Sequence, residues 1–563
     1  MGAPIFFSRL CLLEILPFSP HVEFLLKGVS LLHLHLFLFA ASLEEYLISF
    51  GFSTTIAHTH THTHSHLDQM SPKGKEGSEF FSQDGFAHDG FGDMSDREKQ
   101  IYQGGVQKFN QLGWKQLTIV LIVEAVALGT LSIPSTFATL GMVAGVICCV
   151  GIGLIAVYTS YIIGQVKVKF PHISNYPEAG RQMFGRIGYE VVYMMLCLEL
   201  LLSAGSHCLT GTIAFVNITG SGICTLVFGV VSMIILLLFA IPPSFSEMAV
   251  LGYIDFVSII IAVGITIIGT GVESSNSIGL SAVNWSAWPK DNLTFSEAFI
   301  ALSNIIFAYS FALCQFSFMD EMHTPTDFPK SIWALGLMEI FIYTVTGGLV
   351  YAFVGQDVKS PALLSAGPLL SRIAFGIALP VIFISGSINT VVLGRLIHGR
   401  IFKNSNIRFI NTKMGWITWL VVVTILTVLE FVVAEVIPFF DDLLSVISSL
   451  FVSGFTFYFP AIMWFMFIRN GSWTTPTNIS LTVINTIIFI IGLIVLVGGT
   501  YSSIVDIVSY TSSWIITIPH ILTISNRSTL MRMAQSVACF LAPPPKYHAV
   551  HGQCIDMIDL FCI

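Results

Sequence analysis

From about residue 116 onward the chain alternates long apolar runs with short polar interruptions. Runs of spanning length fall at about 116–139, 142–165, 187–216, 222–241, 249–271, 297–318, 332–354, 371–393, 416–437, 441–467 and 478–498. A helix rises about 1.5 Å per residue, so roughly 20 apolar residues cross the hydrocarbon of a bilayer. The pattern predicts an all-α integral membrane protein with about eleven transmembrane helices.

Composition agrees with this and narrows the function classes. The 563 residues are 54% hydrophobic and only 10% charged, with a mean hydropathy of +0.80. A soluble chain carries about a quarter charged residues, which argues against a soluble multidomain enzyme. The net charge of −8 offers nothing to a polyanion, so the expected partner is a lipid bilayer and not nucleic acid. The ten cysteines show no CxxC spacing and sit mostly inside apolar runs, so they read as small core residues, not as a zinc site or a disulfide framework. No pair of acids, and no histidine with a metal-ligand partner, falls at helix midpoints, so neither catalysis nor a cofactor is expected.

Positive charge orients the bundle. With a cytosolic N-terminus, seventeen of the 25 Lys and Arg fall on the inner side, only Lys290, Lys359 and Arg372 fall outside, and the other five lie near the two ends. This bias specifies N-terminus in and, with eleven spans, C-terminus out. The sequons at Asn217, Asn284 and Asn292 fall outside, although those at Asn470 and Asn478 match the same pattern near the inner face.

The two ends read differently from the middle. Before Met70 the chain runs His58-Thr59-His60-Thr61-His62-Thr63-His64, the alternation that a CACACA repeat encodes in one frame. A metal tract would place every imidazole on one face of a strand with no second ligand type, so residues 1–69 read as a non-native extension. The apolar run Leu25–Ser42 within it is marginal for a span; a signal anchor or a twelfth helix are the alternatives. Residues 70–112 are hydrophilic and Gly-rich, the composition of a disordered cytosolic terminus. Residues 113–508 form the expected transporter domain, and 509–563 an atypical tail with Pro543-Pro544-Pro545.

No Lys or Arg sits in the middle of a span, yet Glu124, Glu199, Asp255, Glu339 and Glu430 do. A lone carboxylate in hydrocarbon is costly and by default marks an ion or proton pathway. Glu124, Asp255 and Glu199 are therefore the candidate proton-coupling groups, with helix-end or structural roles as the alternative, above all for Glu339 and Glu430. The first span reads Glu124-Ala125-Val126-Ala127-Leu128-Gly129-Thr130-Leu131-Ser132-Ile133-Pro134. Proline removes a backbone donor and clashes with the carbonyl four residues back, so a break is expected between about Leu128 and Pro134. Irregular backbone at membrane depth survives where it lines a cavity, and freed amides suit a carboxylate. A plain kink is the alternative. The eighth span carries Ser385-Gly386-Ser387-Ile388-Asn389-Thr390, whose hydroxyls suit either a sodium ion or hydrogen bonds between helices.

After the sixth span comes Asp320-Glu321-Met322-His323-Thr324-Pro325-Thr326-Asp327-Phe328-Pro329-Lys330. With Gly129–Pro134 and Phe307-Ala308-Tyr309, this segment resembles the amino acid/auxin permease family, and in particular its fungal neutral amino-acid permeases, from roughly Gly113 to Val508. The resemblance implies two inverted five-helix repeats with discontinuous helices 1 and 6, plus one extra helix. It also implies alternating access and coupling to protons more than to sodium. By position, Ala127, Leu128, Gly129, Thr130 and Ser132 would take a neutral amino acid's carboxylate. Asn304, Phe307 and Ala308 would take its ammonium, and Phe307, Tyr309, Glu199 and Ser203 its side chain. The implied place is the plasma membrane, with the vacuolar membrane and an exporting role, or an amino-acid sensor, as alternatives. Mass spectrometry of the protein from its native cells is expected to recover no peptide from residues 1–66; one such peptide would remove the extension reading.

Overall fold

The computed structural model describes residues 113–522 apart from short stretches in loops, and side chains as far as Val508. Every regular element there is helical. In chain order these are α1 (Trp114–Leu140), α2 (Met142–Lys169), α3 (Tyr176–Thr219), α4 (Thr225–Phe239), α5 (Phe245–Ser277), α6a (Phe295–Ala308), α6b (Gln315–Asp320), α7 (Phe328–Val354), α8 (Pro368–Ile401), α9 (Lys413–Val436), α10 (Phe440–Ile468) and α11 (Pro476–Leu522). The expected tail from residue 509, like the whole N-terminal extension, lies outside the residues whose side chains are described.

Eight of these helices, α2, α3, α5 and α7 to α11, are long and apolar enough to cross a bilayer. Among the described residues that is three fewer than the eleven spans expected, and two of the three have local reasons. The α4 helix is only 15 residues long and ends just before Pro242-Pro243, and α6a is only 14 because the sixth span is interrupted. The α1 helix runs 27 residues at the first expected span.

The bundle is apolar inside and out. Along α11 the exposed residues Ile479, Val483, Ile487, Ile490, Ile494, Val497 and Tyr501 recur at helical spacing, forming a stripe that water disfavours and hydrocarbon accepts. The opposite case is α8, whose residues from Val381 to Gly394 are all buried. It packs against α3 and α5 on two sides, while α1 packs against α5, α6a, α7 and α8. These two helices form the centre of the protein.

The α1 helix does not break. It continues through Pro134 to Leu140, against the expectation from the proline. Hydroxyls line both sides of the proline and bond back to helix carbonyls: Thr130 to Val126 at 2.5 Å, Ser132 to Gly129 at 3.0 Å, and Thr136 to Ile133 at 2.7 Å. Serine and threonine re-satisfy backbone groups in this way and let membrane helices carry proline. The sixth span does break, although it has neither Gly nor Pro. Its ladder stops at Ala308; Tyr309 leaves helical geometry at φ −103° and ψ 35°, and a 3-10 turn at Ser310–Ala312 precedes α6b. Further departures occur in α3, kinked at Phe184 and Gly185, and in α10, where Ser448–Val452, Gly454–Tyr458 and Trp464–Ile468 are wound as π-helix. Tyr176 of α3 donates to the Phe455 carbonyl in the second of these at 2.7 Å, satisfying a group that the wider winding exposes.

Helix ends are joined tightly. Gly141, at φ 81°, links α1 to α2, and a Cβ there would lie 2.5 Å from the backbone of Trp288. The first free amides of α2, Met142 and Val143, donate to the Ser286 and Ala287 carbonyls in the loop before α6a. That α6a helix opens on a capping box, with the Glu297 amide donating to Thr294 Oγ1 and the Thr294 amide to Glu297 Oε2. Cys148, Cys149 and Cys208 are free thiols, as the sequence suggests, whereas Cys224 is disulfide-bonded, a pairing that its sequence spacing does not reveal.

The approach of α7 to α1 depends on Gly347, where a Cβ would come within 2.6 Å of both Ile133 and Phe137. Gly347→Leu is expected to destabilise the bundle by about 1–3 kcal/mol through overpacking. A lower melting temperature of the detergent-purified protein reads this out; an unchanged one would mean the helices part without cost.

Candidate functional site

The first and sixth spans come close together at Gly129. A Cβ there would lie 2.8 Å from Cα and Cβ of Ala308, the last residue of α6a. Glycine is thus required by contact with a neighbouring backbone. Tyr343, on the face of α7 it shares with Glu339 four residues earlier, sits beside this contact. Its hydroxyl donates toward the Ala308 carbonyl at 2.9 Å and the Ala125 carbonyl at 3.0 Å, so one side chain clamps α1 and the end of α6a together. The Tyr309 ring stands edge-on to Tyr343, with centroids 5.1 Å apart.

The residues that the sequence nominated on these two helices flank this contact along the chain. Leu128, Gly129, Thr130 and Ser132 of α1 and Asn304, Phe307, Ala308 and Tyr309 of α6 are all buried. Asn304 Oδ1 and the Tyr309 hydroxyl have no hydrogen-bond partner among the described residues. A buried polar atom without a partner costs about 1–3 kcal/mol, which makes both available to a polar ligand. Ala127 and Glu124 also lie on α1, but their side chains are outside the described residues. Because α1 is continuous, its amides between residues 127 and 130 are engaged within the helix. The irregular backbone lies on α6 alone.

The remaining candidates meet on α8. Ser385 Oγ lies 3.3 Å from Asp255 Oδ2 on α5, and both residues are fully buried. Asn389 Nδ2 donates to Ser203 Oγ on α3 at 3.1 Å, and Thr390 Oγ1 to Glu430 Oε1 on α9 at 2.9 Å. Ser387 bonds back to the Ile384 carbonyl at 2.7 Å. The polar stretch of α8 therefore spends its side chains on three different helices, the interhelical alternative to an ion site. Glu199 is buried on α3, one turn before Ser203. Asp255 Oδ1 has no partner among the described residues.

Sequence reasoning missed Tyr343. The available signal was a hydroxyl in the middle of an apolar span, since such a group must find a partner. It also assigned no role to Asp320 and Glu321, used only as motif letters. Asp320 Oδ1 is 2.5 Å from Lys167 Nζ at the end of α2, and Glu321 pairs with Arg395 near the end of α8. Burial pushes the Glu321 carboxyl up from its ordinary pKa, while the charge and hydrogen bond of Arg395 oppose the shift.

Comparison with known proteins supplies what geometry does not. The family model described as transmembrane amino acid transporter protein matches residues 110–505. The chain belongs to this family. It is 59% identical over 419 residues to the N amino acid transport system protein of Neurospora crassa, covering 74% of this chain and 89% of that one. It is 26% identical over 418 residues to a transmembrane transporter of Fusarium pseudograminearum, covering 72% and 86% of the two chains. The similarity extends to amino acid transporter AVT1J of Arabidopsis thaliana, 24% identical over 396 residues, or 67% and 88%. This transporter is thus an integral membrane protein of an amino acid transporter family and not an enzyme.

In this transporter Tyr343→Phe keeps the ring and removes the clamp. A hydrogen bond between membrane helices is worth about 0.6–1.7 kcal/mol, so amino acid uptake is expected to fall by about three- to tenfold at unchanged surface expression. Wild-type uptake by the variant would take Tyr343 out of the working site.

Proposed function

We propose that the transporter imports neutral amino acids, with a preference for medium to large side chains including aromatic ones, by proton symport through alternating access. The observation that carries this is the broken sixth span, seated against Gly129 with unpartnered acceptors at Asn304 and Tyr309. In secondary transporters a discontinuous helix supplies polar backbone groups near the bilayer midplane. The substrate's ammonium sits among Asn304 Oδ1, the Tyr309 hydroxyl and the carbonyls at the end of α6a. Its carboxylate faces the α1 stretch Ala127, Leu128, Gly129, Thr130 and Ser132, where the amides stay within the helix and the Thr130 and Ser132 hydroxyls turn from their carbonyls to donate to it, and its side chain faces Phe307, Tyr309 and Ser203. No fixed cation lies among these residues to hold an acidic side chain.

For the proton, Asp255 has the best-supported surroundings: full burial, one hydroxyl partner on α8 and a second oxygen without one. Glu124 and Glu199 are the other candidates. Eleven spans in two inverted five-helix repeats plus one, with the N-terminus cytosolic and the C-terminus outside the plasma membrane, complete the proposal. The positive-inside bias and the resemblance of the sequence support it.

Uptake of a panel of labelled amino acids by cells expressing residues 70–563, at acidic and at neutral outside pH, with and without sodium, tests the proposal. Acid-stimulated, sodium-independent uptake of neutral substrates is expected. Asp255→Asn is expected to abolish the acid stimulation while leaving exchange of internal for external substrate. Sodium dependence would overturn proton coupling, and no uptake despite surface expression would favour a vacuolar exporter.

A further inference from the structure

The α6b helix is a six-residue segment separated from α6a by the irregular stretch Tyr309–Cys314. It is therefore free of the hydrogen-bond ladder that would otherwise make the sixth span one rigid rod. Its two ends are held in different ways. At the break, Gln315 Nε2 donates to the Ser160 carbonyl of α2 at 2.9 Å. At the far end, the successive carboxylates Asp320 and Glu321 reach in different directions. Asp320 takes Lys167 Nζ of α2, which also donates to the Pro171 and Ile173 carbonyls at 2.9 and 2.7 Å. Glu321 takes Arg395 of α8. Lys167 is 4% exposed and Glu321 3%, so both pairs are largely shielded from water on one side.

We propose that Asp320 and Glu321 form a clasp that holds α6b against α2 and α8 as the inner gate of the transporter, and that both pairs part when substrate is released to the cytosol. The proposal rests on the transport reading above and on the positive-inside orientation, which puts this end of the bundle in the cytosol. The physical basis is differential contact: an ion pair made in one state only biases the equilibrium toward that state. Losing one partner leaves the other charge buried and uncompensated, which favours the state in which water reaches it. These four are positioning residues; none of them touches the proposed substrate seat.

A native thiol reports on the gate. Cys314 is buried at the start of α6b, 1% exposed, at the end opposite the clasp, so it becomes accessible only if α6b as a whole moves. Inside-out membrane vesicles carrying the full chain are treated with a membrane-impermeant maleimide, and labelling of Cys314 is followed by peptide-resolved mass spectrometry. Wild type is expected to label slowly. Glu321→Gln and Arg395→Gln are expected to label about tenfold faster, a shift in population of the order one lost ion pair produces. The exchanged pair, Glu321→Arg with Arg395→Glu, is expected to return labelling to the wild-type rate. Asp320→Asn, at the more exposed pair, provides a milder variant that keeps the buried pair and is expected to label at an intermediate rate. In the same cells the ratio of efflux to uptake should rise in the single variants and recover in the exchanged one. Equal labelling in wild type and Glu321→Gln, or no recovery in the exchanged pair at normal expression, overturns the clasp. Absence of wild-type uptake while labelling follows the pattern above would overturn the transport reading and leave the clasp standing.

Discussion

Where the sixth span stops being helical, a carbonyl at Ala308 faces the interior of a protein surrounded by hydrocarbon, and the Tyr343 hydroxyl meets it at 2.9 Å. Much of the bundle's centre is arranged around that bond. In a bilayer core no water satisfies a freed backbone group, so a helix breaks only where another element supplies the missing partner. Here α7 supplies it, and the same hydroxyl reaches Ala125 on α1. Gly129 lets α1 come close enough for one side chain to serve both. A hydrogen bond between membrane helices is worth only about 0.6–1.7 kcal/mol, so the clamp matters less for overall stability than for fixing where the discontinuity sits.

The α8 helix plays the complementary part. Its polar residues reach α5 through Ser385, α3 through Asn389 and α9 through Thr390, while Trp419 of α9 secures the far side by donating to the Ile241 carbonyl at 2.8 Å. Two of the three bonds end on carboxylates that no lysine or arginine within a span accompanies. A change of charge at Asp255 or Glu430 is thereby communicated to one helix, and that helix also carries Arg395 at its inner end. The α8 helix thus joins α3, α5 and α9 through its own side chains and, through Arg395, the segment that follows α6b.

Much of this was legible in the chain itself. Hydropathy gave the all-helical membrane class, because the period and length of an apolar run reflect the bilayer and not the neighbours. The motif from Asp320 to Lys330 pointed to the family, and the resemblance implied the break in the sixth helix. The proline at 134 misled, because a local rule cannot count the hydroxyls of Thr130, Ser132 and Thr136 that bond back along the helix. The length of α4 and the interruption of α6 likewise separated the spans expected from those long enough to cross alone.

What the sequence determined by itself was the solvent of each segment, since transfer free energy is a sum over nearby residues. What only the tertiary structure decided was pairing: Tyr343 with the end of α6a, Asp255 with Ser385, Glu321 with Arg395. Those partners lie 35, 130 and 74 positions apart in the chain. Their meeting depends on how helices pack, which no local pattern of hydrophobic and polar residues encodes.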